Sequence, residues 1–336
     1  MKFDVIIGNP PYQKSDGGGS GDSAIPIYNK FIENAIKMNP SFISMIIPSR
    51  WLTGGRSLSS FREQLLNDKR MKVIIDYKNS KECFPSVNVG GGIMYFLWDK
   101  HYSGKCNYKQ MQNNIEISSM ARDLNQFDIF VRDNIALGTL YKILKNEKSF
   151  YEDKVSTRRP FNLSRTNEQE EKFMDYEIDY FKGSLKLYGN KLSLKKDSNI
   201  SNGIAYLEHK FVNKNIDKID KHKVIIPKAG GTNSTGVILP TPFYAEPNSI
   251  CSQTYLVVDS FSNKKEALNL IEFIKTKFFR FLVSLAKNTH NCTRGVYKFV
   301  PVLPMDQEWT DEKLYKRYNL TQEEINYIEE KISPME

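Results

Sequence analysis

Phe3-Asp4-Val5-Ile6-Ile7-Gly8 runs directly into Asn9-Pro10-Pro11-Tyr12. The first six residues read as a short apolar strand, and the next four as a stiff turn at its end. Two consecutive prolines fix φ near −65° and remove two backbone donors, so the carbonyls of the turn stay free to accept hydrogen bonds. That suits a planar exocyclic amino group, whose lone pair is delocalised into its ring and makes a poor nucleophile. Two acceptors aimed at its two hydrogens favour a pyramidal nitrogen as charge develops. Asn9 offers a side-chain oxygen and Pro10 a backbone carbonyl. Tyr12 offers a ring for stacking, which a base flipped out of a duplex requires.

Working outward, further runs follow in order: Pro26-Ile27-Tyr28-Asn29-Lys30-Phe31-Ile32, Ile46-Ile47-Pro48-Ser49-Arg50-Trp51-Leu52 and Phe61-Arg62. Then come Ile74-Ile75-Asp76-Tyr77, Cys83-Phe84-Pro85 and Gly90-Gly91-Gly92-Ile93-Met94-Tyr95-Phe96-Leu97. In this order the chain resembles the DNA adenine-N6 methyltransferases of restriction–modification systems, of a type IIG-like kind with a C-terminal target-recognition domain. The resemblance implies that Asn9 and Pro10 hold the adenine amino group, that Tyr12 stacks on one face of the base, and that Phe84 covers the other. It implies S-adenosylmethionine as methyl donor and double-stranded DNA as partner. The implied fold is α/β: the second half of a Rossmann-like methyltransferase sheet followed by an α+β target-recognition domain. The expected division is a catalytic half over residues 1–110, a connecting segment over 111–152 and a recognition domain over 153–336.

At 336 residues with 40% hydrophobic content, the chain is long enough for two domains. The net charge of +9 favours a polyanionic partner. Between Lys182 and Lys228 stand eleven lysines against four acids, which suggests a phosphate-tracking surface. Arg158, Lys228, Arg294 and Lys298 are the candidate DNA contacts. The four cysteines and four histidines show no metal-ligand spacing, so no metal is expected. The thiols read as reduced, in keeping with the cytoplasm, and no apolar run approaches a membrane span.

Spacing predicts a helix over Ile27–Met38, a strand over Phe42–Pro48, a short helix over Leu58–Leu66, and strands over Met71–Tyr77 and Ile93–Asp99. A strand over Tyr108–Met111 and a helix over Ala136–Lys145 follow. Further on, strands are expected at Val224–Pro227 and Tyr255–Val258, flanking the turn Lys228-Ala229-Gly230-Gly231-Thr232. One long amphipathic helix is expected over Ala267–Leu285. Thr321-Gln322-Glu323-Glu324 is a capping-box signature opening a last helix. The run Asp16–Asp22, rich in glycine, reads as a mobile flap or a linker.

A donor site of the implied family needs a Gly-rich turn after a first strand and an acidic residue ending a second. Neither Val89-Gly90-Gly91-Gly92 nor Ala229-Gly230-Gly231 has that setting. The donor-binding half is therefore expected to be missing, by a split gene, a misassigned start, or supply from a separate N-terminal half. The competing expectation is an inactive DNA-binding remnant or specificity module. The strand Val5-Ile6-Ile7, left as an edge, would expose unpaired backbone groups and apolar side chains.

Overall fold

The computed structural model describes residues 3–14, 25–53, 57–86, 89–163, 183–189, 204–231, 236–287 and 290–335. The chain divides into two compact units, Met1–Leu137 and Gly138–Glu336.

The first unit is built on β1 (Val5–Gly8), a small ribbon of β2 (Gln13–Lys14) and β3 (Ile25–Pro26), α1 (Tyr28–Lys37), β4 (Phe42–Pro48), α2 (Ser59–Asn67), β5 (Met71–Tyr77), β6 (Ile93–Asp99), β7 (Cys106–Gln112) and β8 (Ile115–Arg122). A six-stranded sheet has the order β1-β4-β6-β5-β7-β8. The pairs β1–β4 and β5–β7 are parallel, while β4–β6, β6–β5 and β7–β8 are antiparallel. Pro48 and Tyr77 both pair with Ile93, so the carboxyl ends of β4 and β5 meet the start of β6 at one edge. The parallel β1 ends on the same side. The sheet continues past residue 110, since β7 and β8 complete it.

Period decides what is buried. In β4, Ile43, Met45 and Ile47 point into the core and Pro48 closes the strand. In α1, Tyr28, Ile32 and Ala35 share the buried face, and Asn39 leaves the helix with φ of 55°.

The second unit contains α3 (Ala136–Asn146), whose first two residues lie before the division, then β9 (Leu185–Tyr188), β10 (Ile204–Leu207), β11 (His222–Pro227), β12 (Phe243–Ala245), β13 (Ser249–Cys251) and β14 (Tyr255–Phe261). The strands form two three-stranded sheets, β10-β9-β13 and β12-β11-β14. Four helices follow: α4 (Lys264–Lys275), α5 (Lys277–Ala286), α6 (Asp311–Arg317) and α7 (Gln322–Lys331).

The expected single helix over Ala267–Leu285 is in fact α4 and α5, broken at Thr276. Thr276 has ψ of 148°, and its side chain accepts from Phe279 N as an N-cap. The Asp311 carboxylate accepts from Lys277 N at 3.0 Å and Phe278 N at 2.8 Å. The buried Arg280 covers the other end, its Nε donating to Lys275 O and Thr276 O, both at 3.2 Å. Both sets of orphan groups at the break are thus satisfied, which makes it stable inside the core. The capping box at Thr321 and Glu324 forms as expected. Within the lysine-rich stretch, Lys182, Lys191, Lys195 and Lys196 lie outside the described residues, as does the Asp16–Asp22 run.

Candidate functional site

The Asn-Pro-Pro-Tyr turn sits where β1 ends. Asn9 and Pro11 are exposed, Pro10 is buried and Tyr12 is half-buried. Ile27 N donates to Tyr12 O at 3.1 Å, which ties the turn to the residue preceding α1. The Tyr12 hydroxyl is buried and without a hydrogen-bond partner among the described residues. Burial pushes its pKa up, and the nearby Cys83 thiol adds to the rise. Phe84 is half-buried, and its N–H donates to Ser80 O at 2.9 Å.

At the carboxyl ends of β4 and β5 lies a buried polar cluster that sequence reading missed. Asp76, fully buried near the end of β5, accepts from Ser49 Oγ at 2.6 Å, from Arg132 Nε at 2.8 Å, from Arg132 Nη2 at 2.7 Å and from the Tyr108 hydroxyl. Burial alone would raise the Asp76 carboxyl, but the Arg132 guanidinium and these donors hold it below the usual carboxylate range. Arg132 also donates to Gly91 O at 2.6 Å. Ser49 N donates to Gly92 O at 3.0 Å, and Val89 N donates to Ser80 Oγ at 2.8 Å. The cluster so joins the ends of β4 and β5 to the Val89–Gly92 turn and, through Ser80, to the turn that carries Phe84. Ile74-Ile75-Asp76-Tyr77 does hold an acid at a strand end, but its arginine partner lies 56 residues away.

The second unit holds an open cavity of about 420 Å³. Thr157 and Arg158 line it from the segment before the strands, Lys228 and Leu256 from the ends of β11 and β14, and Asn291, Thr293 and Arg294 from the segment after α5. Three of the four candidate DNA contacts therefore come together. Lys298 does not line the cavity; its ammonium packs over the Phe299 ring, 6.0 Å from the centroid. Backbone hydrogen bonds pin the walls. Lys228 N donates to Thr254 O at 2.9 Å, Cys292 N to Lys228 O at 2.7 Å, Gly230 N to His290 O at 2.9 Å and Ser156 N to Val257 O at 2.9 Å.

Not all of the lysine excess is surface charge. Lys223 is fully buried, and its ammonium donates to the carbonyls of Lys218, Ile219, Lys221 and Glu246 at 2.7–3.1 Å. Burial pushes its pKa down to about 8. Lys186 pairs with Glu246 at 2.7 Å, and Lys210 pairs with Glu208.

Neither glycine run is an open cradle for a donor molecule. Gly92 N is used by Val89 O, and a Cβ at Gly92 would collide with the Tyr77 carbonyl. Gly230 N is used by His290 O, and Lys287 Nζ donates to Gly230 O at 3.0 Å. Neither run fits S-adenosylmethionine. Among the described residues no group of His, Cys, Asp or Glu could hold a metal ion, and no helix is long and apolar enough to cross a membrane.

Residues 1–84 match the family profile of the Eco57I restriction-modification methylase. The chain is 41% identical over 130 residues to an uncharacterized adenine-specific methylase of Mycoplasma pneumoniae (strain ATCC 29342 / M129 / Subtype 1), a match spanning 37% of this chain and 31% of that relative. The sequence resemblance to restriction–modification adenine methylases thus stands, within a stretch shorter than half the chain. Two solved structures are fainter likenesses. The type IIG restriction endonuclease BpuSI is 13% identical, with a TM-score of 0.38 over 95% of this chain and 49% of its own. The type IIL restriction-modification enzyme MmeI, in complex with DNA, is 12% identical, with a TM-score of 0.42 over 88% of this chain and 45% of its own.

Proposed function

We propose that the chain is the base-holding and DNA-gripping portion of an adenine-specific DNA methyltransferase of a restriction–modification system, acting at adenine N6 with S-adenosylmethionine as donor. The observation that carries this reading is the Asn9–Tyr12 turn, which stands at the carboxyl end of β1. In this reading the Asn9 side-chain oxygen and the Pro10 carbonyl accept the two amino hydrogens of a flipped adenine. Tyr12 and Phe84 replace the stacking that the base loses on leaving the duplex. In this reading the first unit, through Leu137, supplies the base site, and the second unit contacts DNA through Arg158, Lys228, Arg294 and Lys298.

The donor must be held by elements added to the β1 edge, whether from the same polypeptide or from a separate N-terminal half. That edge is suited to it: Val5 and Ile7 are 50% and 78% exposed, and the strand is paired on one side only. The test is labelled-methyl transfer to duplex DNA, by the chain alone and with a donor-binding half supplied in trans. The expected result is no transfer alone and transfer on complementation, reduced on the order of a hundredfold or more by Asn9→Ala, the loss typical of removing one preorganised group that stabilises developing charge. Transfer by the chain alone would overturn the assignment of the donor site. Failure of every complementing half would favour an inactive DNA-binding module.

A further inference from the structure

Four cations converge on the cavity of the second unit. Arg158, Lys228 and Arg294 line it, and Lys214 Nζ donates to Thr157 Oγ1 on its rim at 3.0 Å. Among the described residues no carboxylate lines it. Asp153 reaches Arg294 at 3.5 Å but is 85% exposed, so water and salt screen it. Arginine and lysine are donors only. Thr157 Oγ1, already accepting from Lys214, has its own hydrogen left to donate. Beside Leu256 and Asn291, the charged and hydroxyl groups of the lining are three cations and two threonines, a set that calls for a ligand rich in acceptors and negative charge.

Shape separates two such ligands in DNA. Base edges lie at the floor of a groove about 8.5 Å deep, and only a protruding element reaches them. Phosphates are the outermost groups of the duplex, and a recess can receive them. The cavity is a recess, framed by backbone hydrogen bonds that join 228–230 to 290–292 and to Thr254, and Ser156 to Val257.

We propose that this cavity is a phosphate seat, which holds one or two adjacent backbone phosphates of the bound strand and sets the register of the second unit without reading sequence. The proposal rests on the reading of this unit as the DNA-gripping part and assigns its residues a task. Arg158 and Arg294 position the duplex, so bases are read elsewhere. Lys298, outside the lining, is not part of the seat.

The test uses the full chain, two labelled duplexes of unrelated sequence, and binding measured at several salt concentrations. Arg158→Ala and Arg294→Ala are at exposed positions, and a thermal melt checks that each variant folds. Each variant should weaken both duplexes equally. Each should also make the slope of log affinity against log salt shallower by about 0.9 per lost phosphate contact. The corresponding lysine variants should keep most of the slope. Unequal losses on the two duplexes would mean that these arginines read bases, and would overturn the proposal. Salt-dependent binding by the parent chain with unchanged variants would overturn the seat while leaving DNA binding by this unit intact. No duplex binding by the parent would remove both. A parallel melt with inorganic phosphate gives the last arm. Millimolar stabilisation that needs both arginines, without duplex binding, would assign the cavity to a small anion instead.

Discussion

The two sites of this chain are held in opposite ways. The Asn9–Tyr12 turn is one contiguous segment at the end of an edge strand, tied by a backbone bond from Ile27 N to Tyr12 O. The cavity is assembled from four segments, about 157, 228, 256 and 291–294, pinned by backbone hydrogen bonds to their neighbours. The first lies at an open strand edge, whereas the described walls of the second come from one unit. On the proposed reading the difference separates two tasks, base holding in the first unit and DNA gripping in the second.

The largest effect on this contrast comes from the buried ion pair. Arg132→Met leaves the Asp76 carboxylate buried without its counter-charge, which costs about 3–5 kcal/mol for pairs of this kind. The loss should appear in thermal unfolding of the first unit. Its pH dependence has a definite sign. The folded carboxyl lies below its unfolded value of about 3.9, so its contribution is present above that pH and is lost as pH falls through the folded value. Parent and variant should therefore converge in stability on acidification below about pH 4. A constant gap down to pH 2 would show that Arg132 acts by packing alone.

The counterpart in the second unit is Gly231→Ala. Gly231 has φ of 68°, and an added Cβ would meet the carbonyl of Ile238. Strain at such a position costs roughly 1–3 kcal/mol. The turn that presents Lys228 should loosen, weakening duplex binding and lowering the melting temperature together. Full duplex affinity in a destabilised variant would show that the backbone pins do not set the cavity.

What could be read beforehand divides along the same line. Strands Phe42–Pro48, Met71–Tyr77 and Ile93–Asp99 are legible because alternation and apolar runs are local, and the capping box at Thr321 is legible because its partners are three residues apart. Asn-Pro-Pro-Tyr is legible for the same reason. The Asp76–Arg132 pair, the Lys223 ammonium on four carbonyls, and the union of Thr157, Asn291 and Thr293 in one cavity are not, since each depends on tertiary closure. The break at Thr276 lies between these cases. Thr276-Lys277-Phe278-Phe279 contains an N-cap threonine, but the apolar stripe runs through it, and Asp311 and Arg280 are what make the break stable.

A smaller effect sharpens the first site. Tyr12→Ala and Phe84→Ala should each remove stacking worth about 1–3 kcal/mol for one base. With the target adenine replaced by a fluorescent analogue, the signal of an unstacked base seated in the protein should fall for both variants. Overall duplex affinity, which the proposed reading assigns to the second unit, should hardly change. If either variant loses duplex affinity in proportion to its signal, base holding and DNA gripping are not separate tasks.

The smallest effect on folding falls at the edge itself. Ile7 is 78% exposed on β1, so Ile7→Glu removes little buried area, and a surface change of this kind shifts stability by no more than about 0.5 kcal/mol. The same change puts a charge into any sheet continued beyond β1, where a buried carboxylate without a partner is costly. Ile7→Glu should therefore melt like the parent, bind duplex like the parent, and self-associate less. It should also fail to be complemented by a donor-binding half in the methyl-transfer assay. An Ile7→Glu chain that is complemented as well as the parent would show that the added elements do not extend the sheet at β1. The donor-binding elements would then have to reach the Asn9–Tyr12 turn from another side.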